Sequence, residues 1–255
     1  KLAPPYADSL PKLDKQWANQ AVWAAIAVGT QSLSAKNYLA AVDLRYGADL
    51  SVERVADKDA IYLMLFGRTA WVAALVTVLC LILGYPLAWL LANAGPRTAG
   101  LLMILLLLPF WTSLLVRTTA WIALLQSQGV VNDMLVWLGL VDDRSRVQLV
   151  YNMTGTLVAM TQVLLPFMVL PLYSVMKTIP PVYLRAASSM GARPFTGFIR
   201  VYLPLTMPGV AAGALLVFIL AVGYYITPAL VGGPSGQLIS NLIAYHIQQS
   251  LNWGL

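Results

Sequence analysis

The chain has 255 residues, is 59% hydrophobic and only 10% charged, and carries a formal net charge of +6. Soluble domains carry about 25% charged residues, so this composition points to a lipid environment. It excludes a nucleic-acid surface, since no basic run occurs, and the common structural zinc sites, since there is one cysteine and one histidine.

Residues 1–67 open the chain without a start methionine and without the apolar core of a signal peptide. The apolar run Ala21–Gly29 is too short to span a bilayer, which needs about 20 residues. A charge-free interval between Arg68 and Arg97 predicts a first span over roughly 70–92. Cys80 lies inside it and reads as packing. A second span is expected over 99–125, interrupted by Arg117, a third over 151–176, and a fourth over 203–228. Beyond them come a Gly232-Gly233-Pro234-Ser235-Gly236 turn and an amphipathic segment carrying His246, which reads as an ordinary polar residue. The fold class is therefore an all-α polytopic membrane bundle: an extracytoplasmic segment, 1–67, then a transmembrane domain, 68–255, with about four complete spans.

Lys/Arg bias orients the spans. Arg97, Lys177, Arg185, Arg193 and Arg200 fall on one side with no acid among them, which predicts that the 177–200 loop is cytoplasmic. The 126–150 loop sets Arg144 and Arg146 against Asp133, Asp142 and Asp143 and belongs outside.

The loop after Lys177 is the most informative stretch. Pro180-Pro181 can stop one helix and open another, and Gly191 can close it in a left-handed cap. Between them, Tyr183, Ala186, Ala187 and Met190 fall at i, i+3, i+4 and i+7, one stripe of a short helix. Small residues there let a partner surface approach closely. Ala186-Ala187, three residues, Gly191, nine residues, Val201, one residue and Leu203-Pro204 reproduce the spacing of the EAA signature. The sequence thus resembles the permeases of ABC importers. Arg185 stands where that family usually has Glu, an acid that helps seat the loop on the ATPase.

Tyr85-Pro86-Leu87-Ala88-Trp89, Leu108-Pro109-Phe110-Trp111-Thr112-Ser113, Leu165-Pro166-Phe167-Met168, Leu170-Pro171-Leu172-Tyr173-Ser174 and Leu203-Pro204-Leu205-Thr206-Met207-Pro208-Gly209 are similar to the spermidine/putrescine (polyamine/opine) class. The resemblance implies a type I importer fold with six spans, one of them before Lys1 and one after Leu255. It implies a multi-pass protein of the bacterial cytoplasmic (inner) membrane, surrounded by lipid. Its implied partners are a second, similar permease, a cytoplasmic ATPase dimer and a periplasmic substrate-binding protein. Tyr183, Arg185, Ala186, Ala187, Met190, Gly191, Leu203 and Pro204 become the expected ATPase-coupling residues, with the 182–191 helix as the coupling element.

No Gly-Lys dipeptide occurs, so there is no phosphate-binding P-loop. ATP and Mg are expected on the partner ATPase, with no cofactor, metal or catalytic set in this chain. Arg117 is the one ionised group within a span. On a continuous helix it would lie about 27 Å from Ala99, near the outer surface, where it snorkels or meets solute. Trp111, Arg117, Tyr224 and Tyr225 are the candidate pathway residues, since aromatic faces hold cations without an acid. Prolines 86, 109, 166, 171, 204, 208 and 228 are expected to break helices, and such breaks often line transport pathways. The rival reading is a secondary transporter or channel that needs no ATPase. Such proteins usually place ionisable groups at mid-membrane, and the chain has none there.

Overall fold

The computed structural model describes Leu10 and residues 14–30, 35–47, 49–56 and 58–250. The chain divides into two compact units, Lys1–Gly67 with Leu242–Leu255, and Arg68–Asn241.

In the first unit, helices α1 (Gln20–Thr30) and α2 (Lys36–Ala41) precede strands β1 (Leu44–Tyr46) and β2 (Val52–Arg54). The strands pair antiparallel, with Arg45 opposite Glu53. Sequence reasoning expected only some helix here; the hairpin is added by the structure. Asp43 is buried at φ 57 and organises the end of the hairpin. Its carboxylate accepts the backbone N–H groups of Tyr62 at 3.0 Å and Leu63 at 2.8 Å. Those are orphan donors of the first turn of α3 (Tyr62–Asn93), so the acid caps that helix. The Tyr62 hydroxyl lies 3.4 Å from His246 Nε2.

The second unit is built on long apolar helices. Three are long and apolar enough to cross a membrane: α3, α7 (Met153–Thr178) and α9 (Pro194–Val222). A fourth apolar stretch is a bent pair. Helix α4 (Pro96–Leu107) runs through a 3-10 turn, Leu108–Trp111, and is followed by α5 (Leu114–Leu125) and α6 (Val130–Trp137). The two halves of this stretch meet at 100°, so the second span is not the straight helix that charge spacing predicts.

Helix α7 is central. Of its most apolar window 56% is buried, against 28% for the corresponding windows of α3 and α9. Glycines allow the neighbours to close on it. A β-carbon at Gly213 of α9 would stand 2.8 Å from Met168 Sδ and 3.1 Å from its carbonyl oxygen. From α3, a β-carbon at Gly84 would stand 3.1 Å from Met168 Cγ. Backbones that approach this closely gain dispersion contacts, the main source of helix association in lipid. The buried cluster includes Val72, Val76, Leu164, Met168, Leu172 and Val217. Cys80 is buried there, in keeping with a packing role.

Most of the seven prolines do not interrupt their helices. Pro86, Pro166, Pro171 and Pro208 lie inside continuous α-helix. Each removes one backbone bond, a loss that packed neighbours and hydroxyls absorb within a bundle. Pro204 follows a π turn at Phe198–Tyr202, and Pro228 sits early in α10 (Ile226–Val231). Only Pro109 lies at the sharp bend.

The fourth span also differs from expectation: its helix begins at Pro194, carries Arg200, and ends at Val222. The last element is α11 (Ile239–Gln248). In the 126–150 loop, Arg146 pairs with Asp133 at 2.8 Å and Asp143 at 2.7 Å. These two carboxylates push its pKa above the usual arginine value.

Candidate functional site

The expected coupling helix forms, as α8 (Val182–Ser189). Pro180 and Pro181 cannot continue the preceding helix, and their carbonyls accept from Tyr183 N–H at 3.3 Å and Arg185 N–H at 3.2 Å. The other end is a two-bond glycine cap. Gly191 adopts φ +87. Its N–H donates to Ser188 O at 3.0 Å, and Ala192 N–H donates to Ala187 O at 3.0 Å. This is the Schellman arrangement, in which a left-handed residue lets two orphan carbonyls find donors. A β-carbon at Gly191 would meet nothing within 4 Å, so the requirement for glycine is conformational rather than steric crowding.

The stripe divides. Tyr183, Ala186 and Met190 are exposed, but Ala187 is buried and faces the protein. Leu184, half-buried beside Gly197, and Ala187 form the inner face three residues apart, which places Ala187 among the residues that seat the helix, away from the surface it presents. Arg185 is exposed on the outside. Met190 is 82% exposed and Phe195 74%, so the loop shows an apolar knob amid exposed Arg185, Arg193 and Arg200. Leu203 is half-buried and Pro204 exposed on α9, joined to the loop through the π turn. Lys177 ties the other flank, donating to Ala92 O at 3.3 Å at the end of α3.

Of the four pathway candidates, Arg117 lies within electrostatic reach of Tyr224. Trp111 is 91% exposed at the bend, beside Met103, Ile104 and Leu108. Arg117 is half-buried and follows the bend, so it does not lie far along one straight helix from Ala99. Its guanidinium turns back across the bend and donates to Pro109 O, and to Thr112 O at 3.2 Å. The bend accounts for the position: Thr112 (φ −96, ψ 145) leaves the helix extended, its N–H reaches Pro109 O at 3.3 Å, and the guanidinium adds a charged donor to that carbonyl and to Thr112 O. Tyr224 and Tyr225 follow the end of α9. Their carbonyls accept from Ser240 Oγ and Asn241 Nδ2, each at 2.8 Å, while Tyr224 packs against the main core.

Counting charges overlooked Gln162. Its Oε1 accepts from Trp121 Nε1 at 3.3 Å, joining α7 to α5. An uncharged amide leaves no mark on a charge map; its position inside an apolar run was the available signal.

Residues 84–253 match the family described as binding-protein-dependent transport system inner membrane component. The chain is 36% identical over 195 residues to the spermidine/putrescine transport system permease protein PotB of Escherichia coli (strain K12), covering 76% of this chain and 70% of that one. PotB of Haemophilus influenzae is 35% identical over 193 residues, 74% of this chain and 67% of its own. Among solved structures, a bacterial ABC transporter involved in the import of the acidic polysaccharide alginate superposes with a TM-score of 0.63 at 17% identity, covering 98% of this chain and 85% of that one. At that identity the likeness speaks for the fold. The chain belongs to the binding-protein-dependent transport system inner membrane components: it is a multi-pass permease subunit of an ABC importer, a transport protein and not itself an enzyme.

Proposed function

We propose that this chain carries polyamines such as spermidine and putrescine, or closely related small amines, across the inner membrane. A periplasmic binding protein delivers the solute, a second permease completes the path, and a cytoplasmic ATPase dimer holding ATP and Mg drives it. The reading of the cargo is supported by the relatives, which are named as spermidine/putrescine permeases. Composition adds to it: the long apolar helices carry aromatics and no acid.

The observation that carries the coupling mechanism is the capped helix α8, an eight-residue rod projecting Tyr183 and Ala186, with Met190 exposed at its C-terminal cap. A short helix locked between two prolines and a left-handed glycine transmits displacement as a unit. Docked in a cleft of the ATPase, it would pass closure of the nucleotide sites to α7 and α9, the helices that flank it. Arg185, in place of the family's usual acid, calls for an acidic or carbonyl-rich partner surface.

The test is reconstitution of the four-part complex in proteoliposomes. Spermidine uptake should require ATP inside and loaded binding protein outside. Uptake that persists without the ATPase would overturn the coupling, and ATP hydrolysis stimulated only by non-amine solutes would overturn the cargo.

A further inference from the structure

A cavity of about 310 Å³ opens beside α7, walled by Leu87, Leu106, Pro109, Leu165 and Pro166, with Gln162 among its lining residues. All of these lie in the second unit. Gln162 is nine residues from the start of α7, roughly 14 Å along the helix and inside the apolar layer. It is half-buried. Beyond the bond from Trp121, no hydrogen bond to its side chain is made among the described residues. Pro166, four residues on, has no N–H, so the Gln162 carbonyl lacks its ordinary helical donor. A side-chain amide thus sits at an otherwise apolar wall, on a residue whose backbone carbonyl is also without its helical donor. Left against lipid tails, such groups cost several kcal/mol; against a hydrated passage they cost little.

We propose that Gln162 lines the solute passage and receives an amine group of the cargo. The Oε1 atom keeps a lone pair after the Trp121 bond, the backbone carbonyl supplies a second acceptor, and the Trp121 indole lies alongside. This set suits an ammonium donor, and the leucines of the wall suit the methylene chain between amines. The Arg117 guanidinium is close, through Pro109; its Nη2 group is turned onto the carbonyls of Pro109 and Thr112, which orient it while it keeps its positive charge. The assignment rests on the importer reading and deepens it.

Two measurements on the complete complex test it. In a Cys80→Ala background, Gln162→Cys should react with a cationic, membrane-impermeant methanethiosulfonate. Ile104→Cys, whose native side chain is 64% exposed on an apolar face, serves as the lipid-facing control. A thiol in hydrocarbon does not ionise and does not react. Equal rates for the two would overturn the passage-lining role. Second, Gln162→Leu should lower spermidine uptake about tenfold, the worth of one hydrogen bond to a charged group. Gln162→Glu should raise uptake of putrescine relative to N-acetylputrescine, which carries one charge fewer, and Gln162→Lys should lower that ratio. A merely structural role would depress uptake in all three variants without moving the ratio, and that outcome would overturn the amine contact. If the wild-type complex transports no amine, the cargo reading falls by itself, while the thiol rates still decide whether position 162 lines the passage.

Discussion

The helix that ends at Gly191 and the one that ends near Pro109 meet the same difficulty with different chemistry. Each leaves carbonyls without i+4 donors. At Gly191 the chain turns left-handed and backbone N–H groups of residues 191 and 192 fill the need. At Pro109 the chain goes extended instead, and a side chain eight residues on, Arg117, turns back to donate. The first device needs no charge and keeps a small element rigid on its own. The second commits a guanidinium inside an apolar stretch and so binds two half-helices at a fixed bend. A loop that must present a surface is closed locally; a span that must hold a 100° bend is closed across it.

The largest expected effect follows from removing the charged closure. Arg117→Ala removes the charged donor from Thr112 O and from Pro109 O, which keeps the Thr112 N–H and hydroxyl. Hydrogen bonds to charged groups contribute about 1.5–3 kcal/mol each. Membrane yield and thermal stability in detergent should fall sharply, and uptake with them. Arg117→Lys, a single ammonium with a shorter reach, should recover part of the stability. An Arg117→Ala protein as stable as the wild type would mean the bend holds without the clamp.

The two closures differed just as much in how far the sequence disclosed them. Glycine between a helix and an arginine-proline pair is a local signal, and the cap at Gly191 was legible from spacing alone. The inward turn of Ala187 was not, because a stripe at i, i+3, i+4 and i+7 is wider than one exposed face. The spans of α3 and α7 were legible because charge-free intervals record contact with lipid directly. The bend at 108–113 was hidden: proline content does not distinguish Pro109 from Pro166, which α7 simply absorbs. What separates them is whether packed neighbours hold the helix on course, a property of the folded bundle. The start of α9 at Pro194 was hidden for a related reason, since Arg200 on the helix ended the apolar run early.

The glycine closure can be broken next. Gly191→Val places a β-branched residue at φ +87, where a left-handed conformation costs about 1–2 kcal/mol for ordinary residues. Stimulated ATPase activity and uptake should fall by about tenfold, while the assembled spans stay intact by thermal unfolding. Gly191→Asn, which tolerates the left-handed region, should retain most of both activities. Equal behaviour of the two variants would remove the cap from the mechanism. A gentler change leaves the cap alone and alters the surface it supports. Met190→Ser exchanges the 82% exposed thioether for a small polar group. Co-purification of the ATPase should weaken without loss of permease stability, and an unchanged yield of complex would move the contact elsewhere on the loop.

The smallest effect belongs to the auxiliary bond at the bend. Thr112 Oγ1 donates to Pro109 O at 2.8 Å, the same carbonyl that Arg117 serves. The Thr112 backbone N–H also reaches this oxygen, at 3.3 Å, so three donors converge on its two lone pairs. Thr112→Val keeps the shape and removes the hydroxyl. Thr112 is exposed, and Arg117 continues to satisfy Pro109 O, so the loss should be no more than about 1 kcal/mol, the net worth of one neutral hydrogen bond. Combined with Arg117→Ala the outcome should differ. The carbonyl then keeps only the Thr112 backbone N–H, at 3.3 Å, and the double variant should be less stable than the two single effects added together. Simple additivity in thermal unfolding of the four proteins of this cycle would mean that Thr112 and Arg117 act on separate parts of the bend, and that the closure is not shared.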